Sequence, residues 1–465
     1  MRRLFIFAGP LVVAAFAFAC ENDPSGGPGG DFRLDAGAFD ATQPTDDAAR
    51  PDARQPDAPQ PVTVVVSSLT GVGQPDVTVV FHDESGAVLE TKKTGTDGKA
   101  ASAVSPEIAM ATVVFGEGTR RRELLTWTGV QGGDVLPAVV PAGDTLAEVQ
   151  ITIPGQFTGA GGPTFNYYAQ VGDCEYYSTI ANEPIRVFVE PYCYTGAGAV
   201  LVAGSNTNDI IVAHAVKKPV ALATDGGVTE ITTDTWMVPT TDVTVSLTNS
   251  SAPGRAFFHQ IANETAFGQR ADVPGDPKEV TFKAAGSFAD AYNAAVVFES
   301  GASARSVGKR VAPASTIAID GAQIPPALTG GTVSAIGSRP KLEWTGNMGA
   351  MKGGLVRATW FDRSTEGTTA WSVIVPANNA AAGSVTAPAL PASLEGTLPL
   401  ADGGGSTWDT DAEVVFVDSD LVPDYAAWRR MQATLVPPTR VGFAERIVLP
   451  QNGSFRVSHW TRAEP

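Results

Sequence analysis

Glu148-Val149-Gln150-Ile151-Thr152-Ile153 alternates polar and apolar side chains with a period of two, the pattern of a strand with one face in a core and the other in water. Val62-Thr63-Val64-Val65-Val66, Val77-Thr78-Val79-Val80-Phe81 and Val243-Thr244-Val245-Ser246-Leu247 read the same way. Gly, Pro, Asn and Asp separate these runs at the short spacing of sandwich folds. A helix of any length is expected only from Asp424 to Gln432. The chain from Val62 onward is too long for one hydrophobic core and contains no heptads, so the expected fold class is all-β, a string of Ig-like or transthyretin-like β-sandwich domains.

An internal repeat supports that division. Ile185-Arg186-Val187-Phe188-Val189, followed by Ala199-Val200-Leu201-Val202, recurs as Glu279-Val280-Thr281-Phe282-Lys283 followed by Ala294-Ala295-Val296-Val297-Phe298. It recurs again as Ser384-Val385-Thr386-Ala387 leading to Glu413-Val414-Val415-Phe416-Val417. Three tandem sandwiches follow, at 144–239, 240–330 and 331–465, the last with an insertion between its two repeated strands. The alternative is that 144–330 forms one larger domain.

The segment 62–143 resembles carboxypeptidase regulatory-like domains, which are transthyretin-like sandwiches, and also bacterial Ig-like domains. The resemblance rests on Gly73 to Val80 as second strand, Asp83-Glu84-Ser85-Gly86 as a hairpin turn and Thr96-Asp97-Gly98-Lys99-Ala100 as a later turn. These are turn signatures and imply a fold without peptidase chemistry. Lys341-Leu342-Glu343-Trp344 and Trp371-Ser372-Val373-Ile374-Val375 make the last domain resemble fibronectin type III.

The beginning of the chain speaks of export. Arg2 and Arg3 precede an apolar run from Leu4 to Ala19, too short and too early for an ordinary membrane span, and Cys20 follows small residues. Residues 1–19 read as a signal peptide, and Ala17-Phe18-Ala19-Cys20 resembles a lipobox that would place a lipid on Cys20. It departs from that pattern at Phe18, and simple cleavage before Cys20 is the alternative. The segment 20–61 is rich in Asp, Ala, Pro and Gly, with nine acidic residues against three arginines. It buries too little to fold and reads as a disordered tether. Glu21, where an Asp would favour inner-membrane retention in such lipoproteins, points to the outer membrane. The arrangement resembles multi-domain surface lipoproteins of high-GC Gram-negative bacteria. With Cys20 given to lipid, Cys174 and Cys193 are the one intramolecular pair left, and a disulfide between them would stabilise the fold by about 3 kcal/mol on the chain-entropy model.

The net charge of −17 and a pI near 4.7 oppose nucleic-acid binding. Arg120-Arg121-Arg122 and Lys217-Lys218 sit beside strand-like runs and read as solvated charges guarding sheet edges. His82, His214, His259 and His459 lie far apart, with no H-x-H or H-x-x-x-H pair to start a metal site. There is no G-x-S-x-G elbow and no P-loop. No cofactor or catalytic residue is expected.

Two places invite ligand roles. Asp402 to Asp411 reads as a flexible acidic loop with Trp408 at its centre, where an indole face would stack on a sugar ring beside Asp409 and Asp411. Those aspartates with Asp418 and Asp420 suggest a calcium site, though without EF-hand spacing. Tyr167, Tyr168, Tyr176, Tyr177, Tyr192 and Tyr194 crowd around the cysteine pair, either as cross-strand packing or as an exposed patch. The expected function is a non-catalytic envelope lipoprotein acting as a structural, adhesive or partner-binding protein, with envelope proteins or polysaccharide as partners. The alternatives are carbohydrate binding through the last domain and an envelope hydrolase lacking a recognisable motif.

Overall fold

The computed structural model describes residues 60–461 apart from 69–70, 104–106, 117–120, 141–146, 173, 181–182, 191–197, 209, 223–226, 239–240, 251–253, 264, 274–277, 337–338, 363–366, 396–407, 436–448 and 450. The expected signal peptide, Cys20 and the tether lie outside the described residues, as do Cys193, Tyr192 and Tyr194. The fold class is as expected: nearly every described element is a strand.

One seven-strand pattern recurs. The first unit contains β1 (Thr63–Ser67), β2 (Thr78–His82), β3 (Val88–Lys93), β4 (Lys99–Ala101), β5 (Met110–Phe115), β6 (Arg121–Thr128) and β7 (Val135–Val139). They form the sheets β4-β1-β7 and β3-β2-β5-β6, with β1 and β7 parallel. The second unit runs β8 (Ala147–Thr152), β9 (Asn166–Val171), β10 (Cys174–Ser178), β11 (Ile185–Val189), β12 (Val200–Ser205), β13 (Ile211–Lys217) and β14 (Val228–Thr232). Its sheets are β11-β8-β14 and β10-β9-β12-β13, again with first and last strands parallel. The third unit repeats this with β15 (Thr241–Thr248), β16 (Gly254–Ala262), β17 (Thr265–Val273), β18 (Glu279–Ala284), β19 (Ala291–Ser300), β20 (Ser303–Val311) and β21 (Thr316–Asp320).

The fourth unit varies the pattern. β22 (Gly330–Ile336) precedes β23 (Arg339–Thr345) and takes, antiparallel, the edge filled elsewhere by the seventh strand. β24 (Gly353–Asp362), β25 (Gly367–Val375), β26 (Ala382–Thr386), β27 (Trp408–Ser419) and β28 (Gly453–Thr461) complete it, with helices α1 (Ala392–Glu395) and α2 (Tyr425–Leu435). Asp424 starts α2 by accepting a hydrogen bond at Oδ1 from Ala427 N (2.8 Å).

Local chemistry sets the turns. Asp83 Oδ1 accepts from Ser85 N and Ala87 N, both at 2.9 Å, and Gly86 has φ 80°, which closes β2 onto β3 as expected. Gly98 has φ 74°, and a Cβ there would sit 2.2 Å from the Val66 carbonyl oxygen. The second strand begins at Thr78, later than the expected Gly73, because Asp76 turns the chain at φ 62° and Gly73 lies against the Asp97 backbone.

The larger sheets do not stay separate. β6 pairs in parallel with β25, Thr368 opposite Arg121 through Ile374 opposite Trp127. β28 pairs antiparallel with β20, Ser303 opposite Trp460 through Arg310 opposite Gly453. The result is one twelve-stranded sheet, β17-β16-β19-β20-β28-β27-β24-β25-β6-β5-β2-β3, in which the fourth unit lies between the third and the first. A single hydrophobic cluster on one face of it joins Val79, Trp127, Leu355, Trp428, Phe455 and Phe257. On the other face Val114 and Leu124 of the first unit join the core of the fourth, with Trp371 and Phe416. The second unit keeps its own core, with Tyr167 and Val187, and abuts the third through Leu201, Val216, Phe267 and Phe288.

Arg121 and Arg122 therefore do not guard an edge. β6 is an interior strand, Arg122 is buried, and Arg121 Nη2 lies 3.0 Å from Glu123 Oε1. Lys217, on the edge strand β13, does fit the expectation: its side chain is 43% exposed and lies 3.1 Å from Asp234.

Candidate functional site

The densest polar chemistry lies where the first and fourth units meet. Arg429 on α2 places Nη2 2.6 Å from Asp134 Oδ2, with both side chains almost fully buried, at 3 and 8% exposure. The same guanidinium donates through Nη1 to the Thr128 carbonyl (3.3 Å) and lies 5.0 Å from the centre of the Tyr425 ring. Asp134 also accepts from Gln131 N (2.9 Å). The Tyr425 hydroxyl contacts the carbonyl oxygens of Thr128 (2.9 Å) and Ile374 (3.0 Å), at the ends of the two strands that form the seam. Burial raises the Tyr425 phenol pKa well above its ordinary value, so it stays a neutral donor. A charged pair out of water depends on its other hydrogen bonds; here the Thr128 carbonyl and the Gln131 amide supply one to each partner, the Tyr425 ring covers the guanidinium, and Arg429 Nε is left without a partner among the described residues. The arrangement orients and clamps; it presents no nucleophile.

A second polar row crosses the same seam on the opposite face. Trp371 Nε1 donates to Thr126 Oγ1 (2.8 Å), the Thr126 and Thr112 hydroxyls are 2.9 Å apart, and Thr112 Oγ1 lies 3.0 Å from His82 Nε2. Either hydroxyl can donate in the Thr126–Thr112 contact, and the direction of the last bond follows the imidazole tautomer; His82 Nδ1 is buried without a partner among the described residues, so a second proton on the ring would have nowhere to bond. Burial agrees, pushing the His82 pKa down to about 4 against a smaller opposing effect of Asp83. His214 of β13 is fully buried, and burial likewise pushes its pKa down to about 4. His459 Nε2 lies 3.1 Å from Glu413 Oε1.

The expected ligand residues fare differently. Trp408 and Asp409 belong to a strand rather than a loop: β27 starts at Trp408 and its backbone pairs with Asp362 of β24. Ten residues of β27, Trp408 to Val417, pair with β24 without a break, which overrides the turn-forming tendency of the aspartates. The side chains of Trp408 and Asp409 lie outside the described residues, and that of Asp411 is exposed. Asp411 and Asp418 stand seven residues apart on one strand, about 23 Å, so no single cation spans them. Asp418 instead pairs with Arg456, accepting from its Nε at 2.8 Å. Among the described residues no group of three or more His, Cys, Asp or Glu is placed to hold a metal.

Cys174 is buried at the head of β10, its Sγ 3.8 Å from the carbonyl oxygen of Glu190. Of the tyrosines around it, Tyr167 packs inside against Trp236, with ring centres 6.0 Å apart, and Tyr168 meets Tyr177 across the strands at 5.3 Å. Tyr176 remains 49% exposed. Both readings of these aromatics thus apply, each to different rings. Among the described residues most of the exposed large apolar side chains belong to this second unit, including Phe165, Tyr176, Tyr177, Phe188 and Val228. Phe188 and Val228 flank Glu148 in one row across β11, β8 and β14.

Arg429, Asp134 and Tyr425 carry no sequence signal as a group. Asp134 and Arg429 are 295 residues apart, and each is unremarkable where it stands.

By fold and site the chain is an all-β protein of repeated sandwich units with a clamped internal seam. No protein-family model and no curated protein matches it. Among solved structures, a DUF3823 family protein from Parabacteroides merdae is 13% identical over 39% of this chain and 92% of its own, with a TM-score of 0.15. A Streptococcal ancillary pilin is 9% identical over 56% of this chain and 98% of its own, with a TM-score of 0.14. The major pilin subunit of Bacillus cereus is 10% identical over the same shares, also with a TM-score of 0.14. Similarity at this level assigns the chain no family, activity or partner.

Proposed function

We propose that this chain is a non-catalytic structural and adhesive protein of the cell envelope, held by a lipid on Cys20 and carried outward on the 20–61 tether. The observation that supports this reading is the continuous twelve-stranded sheet, whose first, third and fourth units are fused by strand pairing, the first and fourth being also clamped by Arg429 and Asp134. Fusion of this kind trades relative motion of units for stiffness, which suits a load-bearing spacer. The second unit, with its own core and most of the exposed aromatic and aliphatic side chains, is the adhesive part of the proposal. A disulfide between Cys174 and Cys193 belongs to the same reading: Cys174 Sγ approaches Glu190, three residues before Cys193.

The test compares intact cells carrying wild-type or Cys20→Ser protein, treated with an impermeant protease and then fractionated. Shaving of the wild type from outside and release of the variant in soluble form are expected. A wild type protected from protease contradicts surface display, and an unchanged variant contradicts the anchor.

A further inference from the structure

A recess of about 460 Å³ opens where the third and fourth units meet, below the β20 and β28 pairing. Lys309 of β20, Lys352 before β24, Asp320 at the end of β21, and Arg456 and Asp418 from the seam strands line it together with Asp420.

Its carboxylates are already engaged. Asp418 is paired with Arg456, and both oxygens of Asp420 accept from Ser454 N, at 2.9 and 3.0 Å. Asp320 Oδ1 accepts from Asn249 Nδ2 (2.9 Å) and Ala322 N (3.0 Å), hydrogen bonds that hold its pKa below the usual carboxylate value. Its two lysines are not engaged. Lys92, Lys99, Lys217, Lys218, Lys283 and Lys341 each lie against a carboxylate. Lys309 and Lys352 have neither an ion pair nor a side-chain hydrogen bond among the described residues, although both are half-buried. Lys309 and Lys352 are thus two half-buried ammonium groups on one recess without a direct ion pair among the described residues, since Asp320 and Asp420 beside them spend their oxygens on neutral N–H donors and Asp418 is held by Arg456. A half-buried ammonium has lost part of its hydration and gains most from an anion that reaches it. Recesses at unit interfaces are also where small ligands lodge.

We propose that this recess binds the oxyanion group, carboxylate or phosphate, of a small ligand, bridged between Lys309 and Lys352. The site is independent of the anchor and of the second unit, so it extends the envelope reading without relying on it.

Isothermal titration of the protein lacking its signal peptide tests this at fixed ionic strength. Sodium phosphate and sodium glucuronate are the probes and sodium chloride the control, applied to wild type, Lys309→Gln/Lys352→Gln and Lys278→Gln. Lys278 is also without an ion pair and lies outside the recess. Saturable single-site binding of a probe is expected, weakened about tenfold or more in the double variant and unchanged in Lys278→Gln. Saturation by phosphate alone makes phosphate the source of the oxyanion; saturation by glucuronate alone makes it a carboxylated sugar. A melting curve confirms that the double variant is folded. Absence of saturation with both probes, or equal affinity in the double variant, overturns the proposal.

Discussion

Arg429 Nη2 and Asp134 Oδ2 meet at 2.6 Å in a buried seam, joining a helix of the fourth unit to the loop ahead of the last strand of the first. Removing one partner strands the other charge out of water. Arg429→Met is therefore expected to lower stability by about 3–5 kcal/mol. Arg429→Met with Asp134→Leu recovers much of that loss, since a buried pair replaced by apolar groups of similar volume is often neutral. Denaturant unfolding of the two singles and the double variant measures the coupling; additive effects would contradict the pairing.

Tyr425→Phe keeps the ring against Arg429 and deletes the hydroxyl that touches the Thr128 and Ile374 carbonyls. A loss of about 1–2 kcal/mol is expected. Hydrogen exchange is expected to rise first at the ends of β6 and β25, where those two carbonyls stand.

His82 and His214 make stability depend on pH in the acid range. Each takes up its proton near pH 6.5 when unfolded but only near pH 4 when folded. Between those values the unfolded chain binds more protons, so stability is full above pH 6.5 and falls as pH drops towards 4. The loss at pH 4 approaches about 3 kcal/mol for each histidine. Unfolding midpoints measured from pH 7 to 4 check this, and His214→Leu should flatten the slope by about half.

Gly98→Ala places a methyl group against the Val66 carbonyl oxygen at a positive φ. A cost of about 2 kcal/mol or more is expected. Gly71→Ala has the same sign of φ with no atom within 4 Å, so it carries strain alone and should cost clearly less. Thermal melts of the two variants separate steric clash from backbone strain.

Local pattern made the strands legible and left their partners hidden. Glu148 to Ile153 is amphipathic, and its inward residues Val149 and Ile151 are fully buried, so period two sufficed. The turn at Asp83 was legible because side-chain capping and Gly86 act within four residues. Trp371 to Val375 was legible as a strand, but its place in the middle of a sheet depends on Leu124 meeting Trp371 across 247 positions of chain, which no window of sequence contains. Arg121 and Arg122 misled for the same reason, since a charge next to a strand marks an edge only if nothing pairs there. Trp408 was read as loop from its Gly- and Asp-rich approach, while the deciding contact, the β24 ladder, lies more than forty residues upstream. The repeat across 144–465 was visible, yet the first unit proved to share its strand order, a kinship of topology without a shared sequence pattern.

Scanning calorimetry of the folded chain bears most directly on the claim that the first, third and fourth units are one body. Strand pairing through β6 with β25 and β20 with β28 predicts that these units melt in one cooperative transition, its midpoint lowered as a whole by Arg429→Met, with the second unit free to melt separately. Four independent transitions, with Arg429→Met shifting only the first and fourth units, would contradict it.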